Sequence, residues 1–566
     1  MSGNNRSDHT SASTYKGNNY TWQIENTLTY DKTIGNHSFS VVLGQSALKS
    51  GGDDVNYGAW GIVNSSKPYL NYLNGTDEVV IDPETSLIKS YTKSNWGGGG
   101  EYTNHTMSSY FGRISYNYAE RYMFQATVRR DGSSRFGPNN KWGTFPSFSL
   151  GWNVTNEPFF EKVKNAARLN TLKVRFSWGK NGNESIGDFG YTTLTAQGNN
   201  VFFGKTAIKH NGTKADKTAN PSLKWEESEQ TDFGLDFAFF NNALTFTVDY
   251  FIKKTNDMII EMPIPSYVGE TKPIGNVGDM ENKGVEFELG YKWHIGNARF
   301  AFKGNASYLK NTLKNLGNDT GYLEYDGIQG FSSRIARGEN GKAWPFFYGF
   351  KTNGILQNQA DVDAYIASLP NGNEVQGSIE PGDVRFVDVN GDGRLTPDDR
   401  TDIGNGTPKW TYGLNLNAEW MGFDFNVFFQ GVAGNKVFDA TYRQDVYSGN
   451  YPTWMLGRWT GEDTSNRLPR LDAKDTDNWK VSDLYVYDGA YFRLKNISLG
   501  YTIPQKFTRM VCIERLRFYV MAENLATWTK YHGFDPEISS GGTSLGIDKG
   551  VYPQARTWYV GLNVTF

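Results

Sequence analysis

Apolar and polar residues alternate with a period of two along much of this chain. Tyr110, Ile114 and Tyr116 share one parity, whereas Arg113 and Ser115 fall on the other. Because successive side chains of a β-strand point to opposite faces, this alternation predicts a strand with one apolar and one polar face. The pattern resumes after each turn or loop, so the chain is expected to be all-β.

The same alternation predicts fifteen strands. They cover residues 18–30, 37–44, 110–118, 122–129, 147–154, 171–179, 232–237, 244–252, 284–293, 298–310, 410–419, 423–430, 490–502, 516–523 and 556–566. Residues 156–170, with Pro158 near their start, are expected to form a short helical turn. The thirteenth strand loses its alternation near Lys495 and Asn496, which predicts a β-bulge.

The connections between these strands alternate in length. Long loops lie at about residues 45–108, 180–229, 311–409 and 431–489, and short turns separate the strands between them. This rhythm is typical of an antiparallel transmembrane β-barrel with periplasmic turns and extracellular loops. Aromatic residues at strand ends fit the interfacial girdles of such a barrel: Tyr30, Tyr118, Tyr122, Trp152 and Trp293.

Composition is compatible with a membrane barrel, although mean hydropathy is only -0.57. No run approaches the roughly 20 apolar residues of a membrane helix. Barrel strands turn half of their residues to a polar lumen and therefore carry a weak hydropathy signal. A net charge of -3 without a basic block argues against nucleic-acid binding. Cys512 is the single cysteine, which excludes a disulfide framework.

An odd number of strands does not close an antiparallel barrel of one bacterial chain. We therefore expect residues 1–566 to be the C-terminal portion of a longer protein, unless one strand is miscounted. No charged-then-apolar signal segment opens the chain. Its last strand alternates up to Phe566, and a terminal aromatic of this kind resembles the signal that bacterial barrel-assembly machinery reads.

No arrangement of catalytic residues is recognisable, and we predict that the chain is not an enzyme. The histidines have no recurrent nucleophile partner, and neither a G-x-S-x-G nor an H-E-x-x-H motif occurs.

The segment DVNGDGRLTPDD, residues 388–399, matches the first half of a calcium-binding loop. Oxygen ligands at positions 1, 3 and 5, with Gly393 at position 6 for the sharp turn, can surround a hard cation. The predicted metal ligands are the side chains or carbonyls of Asp388, Asn390, Asp392, Arg394 and Asp399. The alternative is a structural turn that holds the loop without a metal.

Two further sets of residues are candidates for contact with a solute. Polar residues on the inward parity could line a solute path, or could simply solvate the lumen: Arg113, Arg129, Arg175, Asp232, Asp236, Asp249, Glu286, Glu288 and Asp424. Aromatic residues of the loops could stack on a sugar ring or a peptide side chain, or could pack loop against loop. They are Trp60, Tyr69, Tyr72, Trp96, Phe202, Phe203, Tyr267, Trp344, Phe346, Phe347, Tyr348, Tyr447, Tyr451, Trp454 and Trp479.

Four segments together resemble the SusC/RagA family of TonB-dependent outer-membrane transporters of Bacteroidetes. They are RRDGSSRFGPNNKWGTFPSFSLGWNVTNEPFF (129–160), NPSLKWEESEQTDFGLDFAFFNNALTFTVDYFIKKTNDMI (220–259), GNVGDMENKGVEFELGY (275–291) and DVNGDGRLTPDDRTDIGNGTPKWTYGLNLN (388–417). Members resemble 22-stranded barrels with a plugged lumen. The resemblance implies that about 15 of those 22 strands are present here, and that the plug domain and the TonB box are not.

The resemblance also implies a location in the outer membrane and import of oligosaccharides or peptides. A SusD-like surface lipoprotein would cap the barrel, and TonB would act through the N-terminal region. Two other functions remain open, a barrel that displays adhesive loops and a passive porin. Long aromatic loops suit either import or display, and the family motifs favour the importer.

Overall fold

The computed structural model describes residues 11–60, 78–81, 88–92, 97–99, 102–193, 195–197, 201–203, 208–210, 212–262, 264, 267, 269–327, 331, 333–441, 451–472, 477–538 and 540–566. Fifteen of the described strands follow one another in a single antiparallel sheet, each hydrogen-bonded to the next. They are β1 (Ser11–Ile34), β2 (His37–Trp60), β3 (Tyr102–Tyr118), β4 (Tyr122–Ser133), β5 (Trp142–Asn153), β6 (Leu169–Asn183), β7 (Glu226–Phe239), β8 (Leu244–Glu261), β9 (Ile274–Ile295), β10 (Ala298–Asn315), β11 (Trp410–Trp420), β12 (Phe423–Ala433), β13 (Tyr491–Thr502), β14 (Arg515–Thr529) and β15 (Thr557–Thr565). A short strand, Gly97–Gly99, pairs with the far end of β2.

All fifteen predicted strands are present, and the all-β antiparallel fold is confirmed. The predicted bulge is also confirmed, because the register of β13 against both neighbours shifts at Lys495. Several strands run further into the long connections than predicted, and β1 and β2 each reach 24 residues. These extensions carry no apolar alternation, so their ladder of backbone hydrogen bonds leaves no periodic signal in the sequence.

The two faces of the sheet differ as the alternation predicts. Large apolar side chains stay exposed along one face, for example Ile114 at 51% and Val128 at 52%. A continuous apolar surface of this size is unusual for a protein in water and fits contact with lipid acyl chains. The opposite face carries the polar parity. Within the described residues, β1 and β15 each pair on one side only, so the sheet has two open edges.

Three α-helices occur in the described residues: α1 (Glu161–Ala167), α2 (Gln359–Ala367) and α3 (Gln505–Thr508). α1 lies in the predicted helical turn, and the Asn358 side chain caps α2 by accepting the N–H of Asp361 at 3.1 Å. Short 3-10 turns cover Val154–Asn156, Pro158–Phe160, Pro397–Asp399, Thr453–Gly457, Asp477–Trp479, Asp483–Tyr485, Arg509–Val511 and Gly542–Ser544. None of the helices in the described ranges is both long and apolar enough to cross a membrane.

Small sheets build up the long connections. One has four strands, Tyr322–Gly327, Arg334–Glu339, Phe346–Gly349 and Thr401–Gly404. A three-stranded sheet joins Lys436–Asp439 to Val486–Asp488 and Ile547–Asp548. The two-stranded pairs are Thr352–Ile355 with Val384–Phe386, Gly372–Asn373 with Arg394–Leu395, Glu78–Ile81 with Ile88–Thr92, Thr195–Gln197 with Thr213–Ala215, and Val201–Phe203 with Ile208–His210.

The apolar cores lie in these connections more than in the sheet. One cluster packs around α2 and contains Phe350, Ile355, Leu356, Val362, Tyr365, Leu369, Val375, Val384, Phe386 and Leu395. A second joins the third and fourth long connections to the last one and contains Ile335, Ala336, Phe347, Phe438, Ala440, Val481, Tyr485 and Ile547. The described parts of these loops are therefore folded against one another, and we call them the loop assembly (the described residues of 311–409, 431–489 and 530–556).

Candidate functional site

An ion-pair cluster lies on the polar face where β6, β7 and β8 run side by side. Nε and Nη2 of Arg175 donate to Asp236 at 2.7 and 3.0 Å, and Nη2 also donates to Oδ1 of Asp249 at 2.8 Å. Thr247 donates to the same Asp236. The register places Gly234 between Arg175 and Asp249, and a Cβ added to it would lie 2.2 Å from Oδ1 of Asp249. The missing side chain thus lets Arg175 reach across a whole strand.

A second cluster on β12 to β14 repeats this arrangement. Asp424 accepts two hydrogen bonds from Arg517, one of them from Nε at 2.8 Å. Gly500 lies on the strand between them, where an added Cβ would stand 2.5 Å from Nη2 of Arg517 and 2.6 Å from Oδ1 of Asp424. Arg517 is not among the inward residues predicted above, although it shares the inward parity of β14. Inward charges are therefore held in defined positions by pairs that span a strand.

The other predicted inward residues have diverse surroundings. Several pair with a polar neighbour on the same face: Arg129 with Asp131, Glu286 with Ser307 and Glu288 with Lys303. Asp232 lines a cavity of about 650 Å³ along β1 to β7, together with hydroxyl side chains such as Ser115 and Ser177. Arg113 is exposed. The inner face thus combines fixed charge pairs with a row of uncharged hydroxyl groups.

Replacing Gly234 by alanine is expected to break the contact between Arg175 and Asp249. The new methyl group would displace the two side-chain ends, and we expect a loss of about 1 kcal/mol of stability because the pair is partly solvated. Thermal unfolding in detergent measures this loss. The matched control is Gly151→Ala on β5, which also pairs with Arg175 but whose Cβ would meet nothing closer than 3.4 Å. Equal stability of the two variants would contradict the role of Gly234.

The structure brings the predicted metal ligands together in one compact loop. The Asp388 carboxylate accepts the N–H groups of Gly391 and Gly393 at 2.7 and 2.8 Å. The Asp392 carboxylate accepts the N–H of Arg394 at 2.8 Å. The backbone N–H of Asp392 in turn donates to the Asn390 side chain. Burial acts to raise the pKa of Asp388, but the N–H groups of Gly393 and Gly391 outweigh it and hold that pKa below its ordinary value. Asp388 is therefore ionised at neutral pH.

Asp399, the predicted ligand at position 12, has a structural role in this loop. It is fully buried, and its two carboxylate oxygens accept the N–H groups of Val389 and Thr396 at 2.9 and 2.8 Å. With Thr396 it forms a capping box for the 3-10 turn Pro397–Asp399. Across the described part of the chain, no three His, Cys, Asp or Glu side chains are grouped so that they could hold a metal ion. Hydrogen bonds thus account for the shape of the loop, and calcium binding stays a prediction.

Calcium binding predicts a melting temperature that is higher by a few degrees in calcium than in chelator. Alanine at Asp388 is a poor test, because it would remove two backbone hydrogen bonds whether or not a metal binds. Asp392→Asn keeps an acceptor for the N–H of Arg394, removes the charge and gives up the acceptor of the Asn390 amide, which lies 3.2 Å from the second carboxylate oxygen. Because asparagine can also supply an oxygen ligand at this position, the variant should reduce the calcium-dependent shift rather than abolish it, and its melting temperature in chelator is the reference for that comparison. A wild-type protein that melts at one temperature in both buffers would contradict calcium binding.

Several of the loop aromatics are packed inside the loop assembly. Phe346 and Phe347 are 1% and 2% exposed, so packing accounts for both. Tyr348 stacks on the guanidinium of Arg337, whose Cζ lies 4.1 Å from the ring centroid. Tyr267, in contrast, is 88% exposed and available to a ligand. Tyr69, Tyr72, Trp96 and Tyr447, and the side chains of Trp60, Phe202 and Phe203, lie outside the described residues.

Two buried polar networks, which the sequence analysis did not identify, tie the long connections together. Asp383 accepts Nε of Arg470 at 2.6 Å and Nδ2 of Asn478 at 2.8 Å, so it joins the connection before β11 to the one before β13. Arg493 at the start of β13 donates to Asp535 and Glu537, which belong to the connection before β15. No periodic pattern marks these residues, because the partners in the other connection are 42 to 95 residues away in sequence.

Comparison with known proteins agrees with this architecture. The family model described as TonB dependent receptor-like, beta-barrel, matches residues 1–525. TonB-dependent receptor P3 of Formosa agariphila is 35% identical over 561 residues, which are 96% of this chain and 52% of that protein. TonB-dependent receptor SusC of Bacteroides thetaiotaomicron is 28% identical over 548 residues, 95% of this chain and 49% of that protein.

The fold has a counterpart among solved structures. The structure of the RagAB peptide transporter matches with a TM-score of 0.78 at 23% identity, over 98% of this chain and 56% of that one. The chain spans about half the length of the curated relatives that it matches. The exposed apolar face, the polar inner face and the family match agree with each other. The chain belongs to the TonB-dependent receptor β-barrels of the outer membrane, and it is similar to proteins of the SusC/RagA type.

Proposed function

We propose that this chain supplies barrel strands and extracellular loops to an importer that draws oligosaccharides or peptides into the periplasm with energy from TonB. The observation that carries the proposal is the sheet itself, with an apolar outer face, a polar inner face and a folded loop assembly at one end. An import path needs a hydrated inner surface along which large solutes can move. The paired charges and the hydroxyl groups of the inner face supply such a surface. The relatives named above are called receptors, and we propose no catalytic activity.

A SusD-like surface lipoprotein is the partner that this proposal implies. It would cover the barrel from the side of the loop assembly and hold substrate above the inner face. Two features support a capping partner, the packed cores of the loop assembly and the exposed aromatic side chain of Tyr267 in the neighbouring connection between β8 and β9. Aromatic faces suit both sugar rings and peptide side chains, so they support either substrate class.

Growth of a strain that lacks the full-length gene tests the proposal. We expect loss of growth on particular glycans or peptides as the only nutrient, and recovery when the gene is restored. Removal of TonB should abolish the same growth, because the proposed import consumes energy. Uptake that persists without TonB would indicate a passive porin. Normal growth of the deletion strain on every substrate, with reduced adhesion, would indicate a display protein.

A further inference from the structure

A segment that combines exposed apolar side chains with basic ones lies at the short-turn end of the sheet, between β5 and β6. This segment, which we call the rim segment (residues 157–168), includes α1. Phe159 is 69% exposed, Val163 is also exposed, and none of the α1 side chains is buried. A helix of 7 residues, about two turns, has little intrinsic stability in water. Its position therefore depends on what holds and covers it.

Contacts of Glu157 attach the rim segment to the lipid-facing side of the sheet. Nε1 of Trp152 donates to the Glu157 carboxylate at 3.0 Å, and Arg121 approaches it at 3.5 Å. Hydrogen bonds from the hydroxyl of Tyr122 and the indole of Trp152 hold the pKa of Glu157 below its ordinary value. Tyr122 and Trp152 are paired neighbours on the apolar outer parity. Glu157 thus joins the rim segment to the surface that contacts lipid.

Basic side chains accompany this apolar surface. The rim segment carries three basic residues, Lys162, Lys164 and Arg168. Apart from the buried Glu157, its single acidic residue is Glu161. Lysine stems can lie along an apolar surface while their ammonium groups stay at the level of lipid headgroups. Helices with exposed apolar side chains and neighbouring lysines bind the interface of membranes that contain anionic lipid.

We infer that the rim segment is a binding site for an anionic phospholipid of the periplasmic leaflet. Phe159 and Val163 enter the boundary of the acyl chains, and Lys162 and Lys164 contact the lipid phosphate. The site depends on the membrane location of the family and not on what is transported.

The turn between β13 and β14 repeats the composition at the same end of the sheet. Phe507, Met510 and Val511 are exposed there, with Met510 at 74%, and Lys506 and Arg509 lie beside them. Each of these two connections, at different places around the wall, combines a short helix with exposed apolar side chains and basic residues. Recurrence at two separate turns fits a lipid interface, which surrounds the whole barrel, better than a single protein partner.

Lipid retention tests the site. The full-length protein, purified from outer membranes, is placed in nanodiscs of phosphatidylcholine with or without phosphatidylglycerol, and bound lipid is counted by native mass spectrometry. Each lysine near an anionic surface increases binding about fivefold, so the double variant Lys162→Gln with Lys164→Gln should lower the preference for phosphatidylglycerol about 25-fold. Lys351→Gln, an exposed lysine in the loop assembly, is the matched control and should change nothing.

A second measurement keeps the inference falsifiable if the double variant folds poorly. A nitroxide placed by Val163→Cys in a Cys512→Ser background should collide with dissolved oxygen more than with a water-soluble nickel chelate. Greater access of the nickel chelate would place the segment in water and overturn the inference. An unchanged preference for phosphatidylglycerol in a well-folded double variant would overturn it as well.

Discussion

Replacing Arg493 by alanine is expected to detach the last extracellular connection from the sheet and to cost about 3–5 kcal/mol. Arg493 is 2% exposed, and its guanidinium binds three partners: Nε donates to Thr527 at 2.9 Å, Nη1 to Glu537 at 2.7 Å, and Nη2 to Asp535. Asp535 is buried too, so the variant would leave a carboxylate in a site of low polarity without its counter-charge. An uncompensated buried charge is among the most destabilising changes that a single substitution makes.

Hydrogen exchange over residues 530–556 and thermal unfolding in detergent measure the effect. Arg493→Lys should lie between wild type and alanine, because an ammonium keeps the charge but loses the planar fork. A double variant, Arg493→Leu with Asp535→Leu, should recover part of the loss, since both charges leave together. Arg299→Ala is the exposed control, for which we expect a change within about 0.5 kcal/mol. If Arg493→Ala behaved like this control, the network would have no role in holding the connection.

Replacing Asp383 by alanine is expected to separate two parts of the loop assembly at a cost of about 3 kcal/mol. The Asp383 side chain is 1% exposed and accepts hydrogen bonds from Arg470, Asn478 and the N–H of Glu380. Without it, Nδ2 of Asn478 loses its partner in a buried site. Arg470 keeps Glu380 at 3.1 Å, which is why we expect a smaller cost than at Arg493.

Local opening energies from hydrogen exchange are the suitable measurement here, because the loop assembly can open while the sheet stays intact. Faster exchange is expected in the paired strands Thr352–Ile355 and Val384–Phe386 and in residues 477–482, with the sheet unchanged. Asp363→Asn, an exposed acid on α2 in the same connection, should leave exchange at its wild-type rate. Slower or unchanged exchange in Asp383→Ala would show that the two connections are held together by their apolar cores alone.

The sheet was accessible to prediction because membrane strands repeat one physical rule. Because lipid lies on one side and water on the other, apolar and polar side chains must alternate along each strand. The neighbours Arg113 and Ile114 show this alternation. The bulge at Lys495 was predictable for the same reason, since it interrupts the alternation. The strand extensions beyond the membrane, as in β2, follow no such rule, and the sequence predicts loops there.

For the candidate sites, the sequence likewise identified individual residues, whereas their contacts became visible only in the structure. Arg175, Asp236 and Asp249 were selected one by one by their parity, but only the register showed that Gly234 lets them meet. The calcium-like loop was identified from its spacing, and the structure revealed that Asp399 is engaged by backbone N–H groups. Loop aromatics such as Phe347 and Tyr267 cannot be distinguished in the sequence, but Phe347 is buried in the fold and Tyr267 is exposed.

By itself, the sequence determined the fold class, the number and order of the fifteen successive strands of the main sheet, the lipid-facing parity and the family. Each of these depends on local periodicity or on contiguous motifs, and both can be recognised in the sequence without knowledge of the fold. Only the tertiary structure decided which inward charges pair across a strand, how Arg493 and Asp383 tie distant connections together, and that Glu157 of the rim segment contacts Trp152 on the outer face. Those contacts join residues that are far apart in sequence. The energy of a buried polar contact depends on its partners, and a local sequence pattern does not identify them.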